Sequence, residues 1–254
     1  NTAGHTIVLS SESLFWHLTD FVNQKEQWNE AVEIHVILAV RELEEMLSSE
    51  YQQRVKRHGE SKPFEQFLRR RHFISSHHKK AAEVITELVQ QNIPVTLINY
   101  SAHKKTISKR VFETLGCSDL YPNQKMGDLV INRSLSQKEL QMMMMINALY
   151  YDQFPWISAR LSDALAKNLP NTETQRSRIS PQSLKKLYEK NDSYLQIINS
   201  HLSAEEPLTV QKTLQQDRQT SNPAKQLEKI RQEEEQSIQV ISQTLLEALR
   251  DDPT

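Results

Sequence analysis

The sequence predicts an α/β fold, a parallel sheet joined to a helical C-terminal part, on three observations. Apolar runs rich in β-branched residues recur at 6–10, 34–40 and 95–100. Stretches with helical spacing separate them, and strand–helix alternation of this kind builds parallel sheets with right-handed crossovers. After Gly127 the apolar positions keep helical spacing alone.

The run TIVL (6–9), followed by Ser10, Ser11 and Glu12, predicts a buried strand ending in polar residues, with a helix over 13–22 behind it. The run IHVILAV (34–40) is almost continuously apolar, as a central parallel strand covered on both faces would be. Leu43, Met46, Leu47 and Tyr51 then repeat at helical spacing over 42–55. PFEQFL (63–68) predicts a short helical turn. Residues 79–91 carry Ala82, Val84, Ile85, Leu88 and Val89 on an amphipathic helix that Asn92, Ile93 and Pro94 end. VTLINY (95–100) is the third strand, and a helix over 106–115 stops at Gly116, the usual residue just past a helix end.

Ser136 and Glu139 form a capping box ahead of a helix over 140–150. Met142 to Met145 and Ile146 make that helix apolar nearly all round. This reads as a buried helix packed with adaptable thioethers, or as a soft ligand pocket. Residues 170–180 are a polar linker, and Pro181 opens a helix to about 202. A long charged helix over 224–250 carries Leu227, Ile230, Ile238, Ile241, Leu245 and Leu249. The division expected is a domain over 1–208 and a charged helical appendage over 209–254, an arm suited to joining copies of the chain.

Composition narrows the function. The 31 basic and 32 acidic residues leave a net charge of -1, which argues against bulk electrostatic binding to nucleic acid. No apolar run approaches the roughly 18 residues of a membrane span. The single cysteine, Cys117, excludes an internal disulfide and reads as structural; it fits a reducing, cytoplasmic setting. The nine histidines include no i, i+4 pair and no H-E-x-x-H, so no metal site is expected. The four glycines are scattered, and neither G-x-x-x-x-G-K nor G-x-G-x-x-G occurs.

The strongest local feature spans 34–51. An apolar strand ends at Arg41, a helix begins at once, and Ser49 and Tyr51 follow two turns on. Ligands of open α/β sheets bind beyond the carboxyl ends of strands. Arg41 there can grip a phosphate through two N–H groups, with Ser49 adding a donor. A surface ion pair between Arg41 and nearby acids explains the pattern equally well.

The segment R-E-L-E-E-M-L-S-S-E-Y resembles the signature of sulfotransferases that use PAPS (3′-phosphoadenosine 5′-phosphosulfate), where a strand ends in Arg and a Ser follows eight residues later, often as S-x-Y. Weaker likenesses follow the same order. TIVLSSE resembles the strand and polar segment one strand upstream. PFEQFL resembles the turn after the signature. N-R-S-L-S (132–136) and the helix after it, and ISPQSLKKLYEKNDSYL (179–195), resemble segments of bacterial sulfotransferase-like proteins. The resemblance covers about 6–208 and implies a three-layer parallel sheet of the P-loop and sulfotransferase type. It implies that Arg41 and Ser49 bind the 3′-phosphate of PAPS or of adenosine 3′,5′-bisphosphate. It also implies sulfuryl transfer to a hydroxyl or amine, of a glycan or another small acceptor, with Glu12 as base or substrate contact. A helix-start acid favoured by the dipole is the plainer reading of Glu12.

One departure shapes the expectation. The family carries its 5′-phosphosulfate loop, with a Lys, upstream of these motifs, and five residues precede the first run here. Either a fragment or a binding-deficient relative is therefore expected, and the fragment is favoured, with an incomplete sheet, an exposed apolar edge and no sulfuryl transfer of its own. Two other readings compete: a P-loop kinase-like protein, which the Arg–Ser–Tyr spacing opposes, and a non-catalytic nucleotide-binding or interaction protein acting through its C-terminal helix.

Overall fold

The structure, a computed structural model, describes residues 6–24, 27, 32–121, 133–172, 177, 179–208 and 223–251, without the side chains of 223–230, 249 and 251. The expectations at Gly127, Asn132, the tail over 209–222 and the side chains of Leu227, Ile230 and Leu249 lie outside the described residues. The chain forms two compact units, each assembled from separated stretches: Asn1–Val40, Ser75–Ser118 and Asn191–Leu208 in the first, Arg41–Ile74, Asp119–Lys190 and Thr209–Thr254 in the second. One boundary falls after Leu208, and Thr209–Thr254 is grouped with Arg41–Ile74 and Asp119–Lys190.

The first unit holds a parallel sheet of two strands, β1 (Val36–Val40) and β2 (Val95–Asn99), with Val36 opposite Val95 and Val40 opposite Asn99. Alternation turns Val36, Leu38 and Val40 inward while Ala39 is exposed. Helix α1 (Glu12–Asn23) packs on a later helix, Ser76–Gln90, through Leu18 and Val22. That later helix buries Ala81, Ala82, Val84, Ile85 and Leu88, the stripe its spacing predicts. Each large aliphatic side chain so buried contributes about 1.5–3 kcal/mol. Ser75 caps it by accepting from the His78 N–H, and the Ser75 N–H donates to Asn191 Oδ1 at 2.8 Å.

The strand expected at 6–10 is absent. Ile7, Val8 and Leu9 are 82, 58 and 62% exposed and have no strand pairing. Among the described residues the sheet therefore has two strands, and no three-layer sheet of P-loop type is present. The α/β character and the parallel pairing stand.

The second unit is helical: α2 (Leu43–Arg57), α3 (Phe64–Arg70), then, beyond the first unit's α4 (Ser76–Gln90), α5 (Tyr100–His103) and α6 (Ile107–Thr114), come α7 (Gln137–Tyr150), α8 (Ile157–Asn168), α9 (Pro181–Asn199) and α10 (Pro223–Asp251). Helix α9 has residues in both units. Tyr51 of α2 is buried with its ring 4.9 Å from Phe64 and 5.5 Å from Phe67, and its hydroxyl donates to the Lys62 carbonyl at 2.9 Å. The PFEQFL turn is thus the lid of the Tyr51 ring.

Helix α8 buries Ile157, Leu161 and Leu165; α10 packs on α8 and buries Ser237, Ile241, Thr244 and Ala248. The residues set apart as an appendage therefore contribute a packed helix to this unit, although Ile238 and Leu246 remain exposed. Helix α7 is a second correction. Its inner stripe is Glu139, Met143 and Asn147, and Met145 and Leu149 are 65 and 66% exposed, so it is not a buried helix. Polar partners choose the face: Asn147 Nδ2 donates to the Val55 and Glu60 carbonyls at 2.8 and 2.9 Å. At the amino end of α7 the capping box forms as expected, with Glu139 also gripping Arg133. Lys56, buried beside them, donates to the Arg133 carbonyl at 3.3 Å. Burial, with Arg57 and Arg133 adding, holds its pKa below the ordinary lysine value.

Burial, reinforced by the Glu60 carboxylate, pushes the Tyr51 phenol well above its ordinary value. An unfolded chain releases that proton above about pH 10, while the folded chain keeps it. Stability from this group is complete below pH 10 and is lost as pH climbs toward the folded value. Urea midpoints at pH 9 and pH 11 should show a steeper alkaline loss for the natural chain than for Tyr51→Phe. Equal slopes would exclude this coupling.

Candidate functional site

The candidate site lies in the second unit, where β1 has ended and α2 begins. Arg41 and Glu42 are the two residues between them. Glu42 takes extended backbone at the helix start and its side chain makes no capping bond. Leu43 and Leu47 turn into the core, which leaves Ser49 on a half-buried face roughly 9 Å along the axis. The Arg41 side chain lies along these turns, and its Nη1 reaches Ser49 Oγ at 3.5 Å. Structure thus brings together the two residues that the spacing had paired. A guanidinium carries five N–H donors in a planar fork.

The electrostatics are mixed. Glu42, Glu44, Glu45 and Glu50 share the segment with Arg41. Glu50 is paired with Arg71, which takes one negative charge out of the balance. Glu44 and Glu45 sit in the first turn of α2, where the helix dipole favours acids. Tyr188 of α9 comes close enough to feel Glu42 and Glu44. Burial, with those two carboxylates adding, raises its phenol well above the ordinary value, so it stays a neutral hydroxyl.

A third segment reaches the same helix. Ser48 is buried, and its Oγ accepts from the Ser177 N–H at 3.1 Å. Nearby, Glu65 Oε1 accepts from the Ser180 N–H at 2.8 Å, so the linker is tied to α2 and α3 at two points. Sequence reasoning passed over Ser48, Ser177 and Tyr188. Helical spacing marks Tyr188 only as one more position on α9, and a serine in a polar linker gives no local signal.

Glu12 stands apart. It is the first residue of α1, exposed, behind Ser11, whose side chain caps the helix by accepting from the Ser13 N–H at 3.2 Å. With no strand at 6–10, Glu12 is not at a strand's carboxyl end, and its placement is that of an acid at a helix start. An open hollow of about 560 Å³ runs along this stretch, lined by Val8, Leu9, Ser10, Ser11, Leu14 and His17. It does not include Arg41 or Ser49, and no lysine or arginine lines it. Lys104 and Lys105, after β2, are exposed.

Among the described residues no group of three or more His, Cys, Asp or Glu side chains is placed to hold a metal ion. Within the same residues no helix is long and apolar enough to cross a membrane. Comparison with protein-family models, with curated proteins and with solved structures finds no match to this chain.

Proposed function

We propose that this chain binds a nucleotide bearing a 3′-phosphate, PAPS or adenosine 3′,5′-bisphosphate, at Arg41 and Ser49. The observation that carries this reading is the approach of the Arg41 guanidinium to the Ser49 hydroxyl across eight residues of sequence, at the point where β1 gives way to α2. One fork and one hydroxyl offer a phosphate monoester several donors at once, and bonds to charged groups are the strong ones. The wider reading is a sulfotransferase-like transfer to a hydroxyl or amine of a glycan or other small acceptor, in a cytoplasmic setting. In that reaction the acceptor oxygen or nitrogen attacks sulfur, the bond from sulfur to the phosphate oxygen breaks, and adenosine 3′,5′-bisphosphate leaves. A base takes the acceptor proton.

Binding without transfer is the second reading. It is favoured by the exposed position of Glu12 at a helix start and by the excess of acids in the segment after Arg41. A radiolabelled-donor assay separates the two.

Titration calorimetry with adenosine 3′,5′-bisphosphate tests the shared claim. Arg41→Ala should weaken binding by about 1.5–3 kcal/mol, the range for hydrogen bonds to charged groups. Equal affinities for variant and natural chain would overturn the assignment of Arg41.

A further inference from the structure

We propose that α7 joins two copies of this chain, its outward apolar face packing antiparallel on the same face of a second copy about a two-fold axis at Met145.

The starting point is the run of four methionines, which divides between two sides of the helix. Met143 is buried, and Met144 Sδ accepts from the Tyr51 hydroxyl at 3.0 Å, so these two serve the interior. Met145 and Leu149 are about two-thirds exposed, and Met142 is half-buried beside them. Steps of three and four residues put Met142, Met145 and Leu149 in one line, the spacing of a helix–helix seam. Single apolar side chains scattered on a surface need no explanation, but a line of them marks a contact surface. Residues 140–151 carry no charge, whereas the solvated side of a surface helix is normally charged or polar.

The charges at the two ends of the line select the occupant. Lys138 lies seven residues before Met145 and Asp152 seven after, and both are exposed. Seven residues are nearly two turns, so both fall in line with the seam. Tyr151 keeps helical backbone, which carries the line on to Asp152. An antiparallel copy centred on Met145 sets each Lys138 against the Asp152 of its mate, at both ends of the seam. A parallel copy would set Lys138 against Lys138 and Asp152 against Asp152, which repel. The face is thus complementary to itself in one orientation, as a two-fold interface requires. Lys138 also pairs with Glu234 of its own chain at 3.5 Å. That pair is exposed and weak, and an ammonium has three donors, so a second carboxylate can join it. Flexible thioethers suit the axis itself, where two copies of one residue must adapt to each other.

The test is sedimentation of the full chain over roughly 1 μM to 1 mM, where monomer and dimer should exchange. Met145→Glu should weaken the dimer about tenfold or more, because it sets two carboxylates face to face on the axis. The melting temperature of the dilute monomer should not change, since this side chain is largely exposed. Lys138→Asp and Asp152→Lys should each weaken the dimer, and the two together should restore it. Failure of the double swap to restore it would overturn the antiparallel pairing. A dimer that Met145→Glu leaves intact would place the contact elsewhere and overturn the proposal. Natural protein that stays monomeric throughout would also overturn it and leave the face to a different protein.

Discussion

Replacing Glu139 by alanine is expected to destabilise the second unit by about 3–5 kcal/mol, the cost of stripping one partner from a buried ion pair. The Arg133 and Glu139 side chains are 4 and 0% exposed. They meet through two parallel bonds, Nη1 to Oε2 at 2.8 Å and Nη2 to Oε1 at 2.6 Å. Glu139 Oε2 also accepts from the Ser136 N–H at 2.8 Å, which completes the capping box of α7. Ser237 of α10 reaches Oε1 at 3.4 Å. Alanine would leave a guanidinium charge in the interior, take the acceptor from the Ser136 N–H and remove a contact to α10 together. Urea denaturation would read the loss. The exposed pair Lys138 and Glu234 supplies a control, and Glu234→Ala should cost no more than about 1 kcal/mol. Replacing both Arg133 and Glu139 by apolar residues of similar volume should recover much of the loss, since what costs most is the charge left alone. A loss under 1 kcal/mol for Glu139→Ala would show that water reaches the pair.

Gly59→Ala should be the second large effect, about 2–5 kcal/mol from two separable causes. Gly59 has φ +66°, in the left-handed region, where a side chain costs roughly 1–2 kcal/mol. A Cβ there would also lie 2.2 Å from Cγ of the Tyr151 ring, and forcing such a contact into packed surroundings adds about 1–3 kcal/mol. Gly116 separates the causes. It has φ +69°, but an added Cβ would meet nothing within 4 Å, so Gly116→Ala should show the backbone strain alone. Trimming the ring in a Gly59→Ala, Tyr151→Ala double variant should return the steric part and not the strain. Equal losses at Gly59 and Gly116 would show that Tyr151 swings aside freely.

Local chemistry made much of this fold legible. The strands at 36–40 and 95–99, the capping box of Ser136 and Glu139, and the helix stop at Gly116 each depend on a few neighbouring residues. The Arg41–Ser49 approach was legible for the same reason, since eight residues on one strand and helix fix it. What failed was choice of partner. The run at 6–9 has the composition of a strand whether or not another strand accepts it, and pairing is a decision made elsewhere in the chain. Met142 to Met145 is apolar all round, so composition could not choose a face; Arg133, Val55 and Glu60 chose it through Glu139 and Asn147. Helix α8 went unread because Ile157, Leu161 and Leu165 are diluted by serine, alanine and aspartate. Ser177 and Tyr188 lie more than a hundred residues from Arg41 in the sequence, beyond any local pattern.

The interleaving of the two units has a consequence for how the chain is made. The first unit draws its last stretch from Asn191–Leu208. Asn191 supplies the acceptor for the Ser75 N–H, Asn99 Nδ2 donates to the Glu206 carbonyl at 3.0 Å, and Leu195, Ile198 and Leu208 fill its core. During synthesis the amino-terminal half emerges first, yet β1, β2 and α4 wait for residues more than a hundred positions behind them. Contacts so far apart in sequence close slowly, and the apolar faces that await them stay open in the meantime. A ribosome stalled anywhere between Ser118 and Asn191 would hold a nascent chain whose earliest unit is unfinished, an object for chaperones to guard rather than a domain already folded.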